Sequence, residues 1–160
     1  MADSGIRESL GALLLAGVDV SARDNMGRTP LFETSNGGKV AHSSVRLFLE
    51  QDADATTREK NSGRVPLHCA AQAGYSDTIQ LLINHGAEIN DQDLNGDTAL
   101  HLACRHGRES VAQSIIENGA NISFTNISMQ LPLQKAAGSG NIKIIDSCFK
   151  KELMQMDQTF

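Results

Sequence analysis

In this 160-residue chain, the residues most able to do chemistry cluster at His101-x-x-Cys104-x-His106, a spacing with a hint of metal ligation. On a helix His101 and Cys104 fall near one face while His106 points elsewhere, and a zinc site wants a full tetrahedral set of converging donors. Only His68 and Cys69 lie where a neighbouring layer could add to them. A structural histidine and a buried thiol account for the cluster better, so no metal and no cofactor is expected. Asp91, Asp93 and Asp97 share a turn region but fall short of a calcium loop's ligand set. Gly37-Gly38-Lys39 lacks the leading glycine and the trailing Ser/Thr of a phosphate loop and reads as a turn. No Ser-His-Asp order or paired carboxylate has a helpful context. No catalytic residue is assigned, and the chain is not expected to be an enzyme.

What positions these residues is a period. Thr29-Pro30-Leu31-Phe32, Val65-Pro66-Leu67-His68, Thr98-Ala99-Leu100-His101 and Leu131-Pro132-Leu133-Gln134 are variants of one segment. The last three recur about every 33 residues, and the first interval is about 36, a spacing that belongs to stacked repeats. Composition agrees. There is no Trp and one Tyr, and a thin stack of short helices needs fewer large side chains than a round core.

The net charge of -5, with no block of basic residues, argues against nucleic acid as the partner. The run Leu13-Leu14-Leu15 is too short to span a membrane and carries no cleavage signature. Three scattered cysteines, Cys69, Cys104 and Cys148, do not make a disulfide framework and suit free core thiols in a reducing compartment. A cytoplasmic or nuclear setting follows as the expectation.

Superposed, the copies define one unit. A turn such as Asp24-Asn25-Met26-Gly27 or Asp93-Leu94-Asn95-Gly96 leads into a helix that starts at Pro or Ala, with Thr29 or Thr98 placed as N-cap. Small residues follow (Ala70-Ala71, Ala103-Cys104, Ala136-Ala137), and Gly74, Gly107 and Gly140 end the helix. A second helix carries Ile79, Leu82 and Ile83, then Val111, Ile115 and Ile116, then Ile142, Ile144 and Ile145 at helical spacing. Gly86-Ala87 and Gly119-Ala120 close it.

The pattern Asp-x-x-Gly-x-Thr-Pro-Leu-His-x-Ala, ending in Leu-Leu-x-x-Gly-Ala-x-Ile-Asn, resembles the ankyrin repeat. The fullest copy runs from Asp93 to Asn121, and the resemblance extends from about Ile6 to Phe149. It implies an all-α repeat fold: a solenoid of helix-turn-helix units joined by β-hairpin-like loops, in one domain spanning 1–160. The expected units are a partial N-terminal cap repeat at 1–23 and an irregular repeat with an insertion at 24–58. Repeats at 59–92 and 93–125 follow, then a C-terminal cap repeat and tail at 126–160. Ile6 to Leu15 would be a lone second helix, its polar outer face supplied partly by Arg7, Glu8 and Ser9.

Departures from the pattern set local expectations. Asn36-Gly37-Gly38 makes a poor helix interior, so a shortened first helix and a bulging loop between Gly37 and Ser44 are expected. Phe32 and Gln134 stand where the family has a histidine that bonds neighbouring turn backbone; weaker coupling is expected at the N-terminal side. Glu59 to Ser62 holds an extra residue that should distort its turn. Met129 replaces a turn glycine, so that tip should bend differently.

The resemblance also implies a protein-binding groove made of turn tips and first helices. Carried over position by position, it comprises Asn25, Met26, Arg28, Asn61, Ser62, Arg64, Gln72, Tyr75, Leu94, Asn95, Asp97, Arg105, His106, Ile127, Ser128, Gln130 and Ser139. Met26, Leu94 and Ile127 place apolar side chains at tips where polar ones are the default, either as anchors for a partner or as packing against the next turn. Arg105 and Arg108 could instead balance Glu109 on a wet face. Asn90 resembles the turn asparagine that an asparaginyl hydroxylase modifies in some ankyrin proteins, and equally suits bonding within its own turn. The expected function is binding of another protein or peptide by a monomer, without nucleic acid or membrane. A segment of a larger scaffold or receptor, and a small-molecule or catalytic role in the groove, are the alternatives.

Overall fold

A computed structural model describes residues 12, 17, 19–37 and 39–157. Eight helices and no strand occur among them: α1 Pro30–Ser35, α2 Lys39–Glu50, α3 Pro66–Ala73, α4 Ser76–Asn84, α5 Ala99–Arg105, α6 Glu109–Glu117, α7 Pro132–Gly138 and α8 Ile142–Asp157. Apart from Ala12, the expected N-terminal helix, with Arg7, Glu8 and Ser9, lies outside the described residues.

Each helix pair begins where its sequence dictates. Proline occupies the first turn of α1, α3 and α7, where an N–H would lack a helical partner anyway. Thr29 Oγ1 accepts from Phe32 N at 3.2 Å, and Thr98 Oγ1 accepts from His101 N at 3.4 Å. Gly74 ends α3 with φ 97° and donates its N–H to Ala70 O at 2.9 Å. First helices then stack on first helices, and second on second, across consecutive layers. Ala70, Ala71, Ala103 and Cys104 are fully buried, and their small side chains let the first helices of adjacent layers approach closely. Leu67, Leu100, Ile79, Leu82, Ile115 and Ile144 fill the space between layers, each burial contributing about 1.5–3 kcal/mol.

The layers are spaced by their turns. Asp93 N donates to Asp97 O at 3.0 Å, Asp24 N to Arg28 O at 3.1 Å, and Asn126 N to Gln130 O at 3.1 Å. The side chain of the first residue secures the tip: Asp93 Oδ1 accepts from Asn95 N and Asp97 N, and Asn126 Oδ1 from Ser128 N and Gln130 N. Consecutive tips are then linked through backbone. Lys60 N donates to Met26 O, Leu94 N to Ser62 O and Ile127 N to Asn95 O, at 2.8–3.0 Å.

Three local expectations need revision. The first helix of the irregular unit is short, at 6 residues, but no loop bulges after it. The extra residues join α2, which has 12 residues against 9 in α4 and α6. Past the glycines nothing opposes helix, and Val45, Phe48 and Leu49 on its buried face reward continuing it. Met129 does not alter its tip. It adopts φ 56° and donates to Asn126 O at 2.9 Å, as Gly96 does to Asp93 O at 2.8 Å. The left-handed conformation costs about 1–2 kcal/mol, which the Asn126 bonds and the link to Asn95 offset. The extra residue between Glu59 and Gly63 is absorbed as well. Glu59 N still closes the turn on Arg64 O at 2.9 Å, and the longer Glu59 carboxylate reaches both Asn61 N and Ser62 N.

In α8, Glu152 stands where Gly86 and Gly119 end the earlier second helices, and the helix runs on to Asp157. Its outer side leaves Ile142, Phe149, Leu153 and Met154 exposed, while Lys151 Nζ donates to Ile116 O and Ala120 O behind it.

Gly96→Ala should test how tightly the tips dock. A Cβ there would lie 2.9 Å from Ile127 N, at φ 71°, so backbone must shift. A loss of more than about 1 kcal/mol in denaturant unfolding is expected.

Candidate interaction groove

Turn tips and first helices enclose a cleft of about 380 Å³ lined by Met26, Arg28, Phe32, Asn36, Glu59, Ser62, Arg64, Cys69 and Gln72. Five of the expected groove residues (Met26, Arg28, Ser62, Arg64 and Gln72) meet there. Asn25, Asn61, Asn95, Ser128 and Ser139 are exposed along the same side, and Ser62, Tyr75 and Gln130 are half-buried. Leu94 and Ile127 are 65% and 72% exposed at adjacent tips. Leu94 leans on Gly63, whose glycine hydrogen leaves the needed room, yet most of the leucine still faces solvent. Met26 is half-buried, its sulfur near Asn61 Nδ2. Met129, at 75% exposure, extends this apolar crest and was not among the expected residues; an apolar side chain beside Ile127 in the last turn was the available signal.

Asp97 lies elsewhere than the surface. Its side chain is fully buried, accepting from Asn126 Nδ2 at 2.7 Å and from Arg105 Nη2 at 2.5 Å. It therefore acts on the groove by holding Arg105, which is exposed. Arg64 is held in the same way by the buried Asp93 carboxylate at 3.2 Å and by Gln72 Oε1 at 2.7 Å. Arg28 is held by Asp24 and Glu33, and its hydrogen bond draws the Asp24 carboxyl below the usual range. Arg108 does not balance Glu109, which pairs with Lys143 at 3.1 Å. Its Nε donates to the backbone carbonyl of Gln72 at 2.9 Å, in the layer before.

The histidines are structural. Val65 N donates to His68 Nδ1 and Thr98 N to His101 Nδ1, both at 3.2 Å. With Nδ1 accepting, Nε2 carries the proton, which His68 directs at Asp91 O and Asp97 O, and His101 at Gln130 O. Both ring nitrogens are thus engaged. Among the described residues no group of three His, Cys, Asp or Glu could hold a metal ion. Gln134 reproduces half of the arrangement, since its Oε1 accepts from Leu131 N at 2.8 Å. Phe32 is buried and offers no such acceptor. Burial pushes the Cys69 thiol up to about 12. The hydrogen bond with Cys148, and then burial, push Cys104 up as well, so neither is a nucleophile. Asn90 Oδ1 accepts from Asn121 N at 2.8 Å, linking its turn to the segment that follows α6 one layer on.

Helix pairs on this period, tied to neighbouring turns by helix histidines and backed by a groove, define a repeat protein of ankyrin type. The chain belongs to the ankyrin-repeat family: the model for ankyrin repeats in three copies matches residues 1–93, 42–126 and 90–158. It is 35% identical over 97 residues to a tyrosine-protein kinase, HTK16, of Hydra vulgaris, covering 59% of this chain and 12% of that protein. It is 37% identical over 82 residues to the B-cell lymphoma 3 protein homolog of Mus musculus, covering 51% and 18%. With the 2-5A-dependent ribonuclease of Mus musculus it shares 44% over 54 residues, covering 34% and 7%. The chain thus spans less than a fifth of each of these relatives. Ankyrin repeats are generally protein-interaction modules and are typically non-catalytic. No described helix is long and apolar enough to cross a membrane.

Burial holds the His68 and His101 imidazoles below their ordinary range, outweighing the Asp93 and Asp91 carboxylates near His68 and the Gln130 carbonyl and Asp97 near His101. The unfolded chain therefore takes up protons that the folded one refuses. Their contribution is complete above about pH 6.5 and is lost progressively as pH falls below it. Urea midpoints measured between about pH 7.5 and 5.5 should decline, and the double variant His68→Asn with His101→Asn should flatten that decline.

Proposed function

We propose that this chain is a non-catalytic interaction module that holds a protein or peptide along the groove of turn tips and first helices. The observation that carries the reading is the apolar crest of Leu94 and Ile127, 65% and 72% exposed on a rigid scaffold beside arginines whose side chains are already fixed. Exposed apolar side chains on a solvated tip gain nothing alone. Against a partner they bury area with little ordering cost, because the backbone links between tips have set their positions. Arginine and tyrosine are favoured interface anchors for their area and hydrogen bonding, which suits Arg64, Arg105 and Tyr75. The protein is read as a monomer, and three buried free thiols fit an intracellular, cytoplasmic or nuclear, setting. The same activity would suit a segment of a larger scaffold or receptor, a reading favoured by the small share of each matched relative that the alignments cover.

Changing Leu94 and Tyr75 together to Ala should lower capture of cross-linked partners, measured by quantitative mass spectrometry, by about tenfold or more. The melting temperature should move by only about 2 °C, as expected of surface changes. Parallel loss of binding and of melting temperature would make these residues structural and sink the reading.

A further inference from the structure

The chain carries a net charge of -5, yet its groove concentrates cations at one place. Gln72 gathers two of them: its side-chain Oε1 accepts from Arg64 Nη1 at 2.7 Å, and its backbone carbonyl accepts from Arg108 Nε at 2.9 Å. Arg64 comes from a turn and Arg108 from the start of α6, so the convergence is a product of layer stacking. Arg105, at the end of α5, completes the set. His106 lies among all three; partial desolvation first, then the guanidiniums of Arg105, Arg108 and Arg64, hold its imidazole below the ordinary range and keep it neutral.

The counter-charges sit on the far side. Asp93 and Asp97, which hold Arg64 and Arg105, have fully buried side chains, whereas the two arginine side chains are 23% and 38% exposed. Among the described residues no carboxylate pairs with Arg108. These bonds use one or two N–H groups of each guanidinium and leave most of its donors uncommitted. A guanidinium matches a carboxylate in planar, two-point geometry, and here the orientation is already fixed. Beside the cluster stands Leu94, resting on Gly63 next to Arg64.

Resting on the groove reading above, we propose that the cluster of Arg64, Arg105 and Arg108 receives an acidic segment of the partner. One or two Asp or Glu side chains pair with Arg105 and Arg108, and an apolar residue of the same segment lies against Leu94. The arrangement selects against basic partners, and it leaves the affinity dependent on salt because the arginines stay partly solvated.

The test is selection of random short peptides displayed on phage against the protein, followed by binding of the best synthetic peptide by fluorescence anisotropy. Selected sequences should be rich in Asp or Glu next to an apolar residue. The amide counterpart of the best peptide, with Asp→Asn and Glu→Gln, should bind about tenfold more weakly. Raising salt from roughly 50 to roughly 300 mM should weaken the acidic peptide several-fold and leave the amide peptide nearly unchanged. Arg108→Glu should reduce acidic-peptide binding, and Arg105→Lys should reduce it less. Neutral or basic selected sequences that still need Leu94 would overturn the acidic assignment while leaving the groove reading intact. Peptides indifferent to Leu94→Ala and to both arginine variants would overturn both. A single-stranded oligonucleotide that displaces the peptide more effectively than the free acidic peptide does would also overturn the proposal.

Discussion

Each turn after the one at Asp24 donates one backbone N–H to a carbonyl of the turn before it, from Lys60 to Met26, Leu94 to Ser62 and Ile127 to Asn95. Without these links the helix pairs could slide or fan, since short helices packed through alanine and leucine have little to fix their rotation. The turn bonds convert a hydrophobic pile into a ladder of defined spacing. They require each tip to present the same N–H and C=O pair in the same place, and the side chains of Asp24, Asp93, Asn126 and Glu59 hold the tips in that shape. The histidines act one step further in. They fasten the first helix to its own N-cap and to the next turn, and a neutral ring is what lets one residue accept on one side and donate on the other.

Stability in such a chain is close to a sum over layers and their junctions. The junctions here are unequal. The layers that share His68 and His101 have both the turn link and the histidine link, whereas Phe32 fills space at the first junction without bonding across it. The cleft of about 380 Å³ lies at that same junction, where Phe32 stands in place of the histidine. Departure from the repeat and the cleft thus fall at the same junction.

The period, the helix boundaries and the N-caps were legible in the residues, because Pro30, Pro66, Thr98 and the terminal glycines act locally and need no tertiary knowledge. Two kinds of feature were not. Backbone outcomes such as the left-handed Met129 depended on neighbours in another layer that outweigh its own preference. Likewise the residues after Gly38 extended a helix because a buried face was waiting for Val45, Phe48 and Leu49. In the groove, residue positions were legible and electrostatic roles were not. Asp97 sits in a turn sequence that reads as exposed, yet its carboxylate is underneath, and Arg108 reaches a carbonyl in the preceding layer rather than the glutamate beside it. A linear sequence does not reveal which charges end up beneath the surface and which on it.

The fit between Glu59 and its longer turn constrains how this stack can change over time. Shortening Glu59 to Asp would pull its carboxylate away from Asn61 N and Ser62 N, and deleting a residue from the turn would leave a side chain too long for the remaining space. Each change alone breaks the tip that links to Met26 and Leu94, while the two together restore the form seen at Asp93. Turn length and acid length are therefore matched in the repeat that begins at Glu59, and a change in one calls for a change in the other.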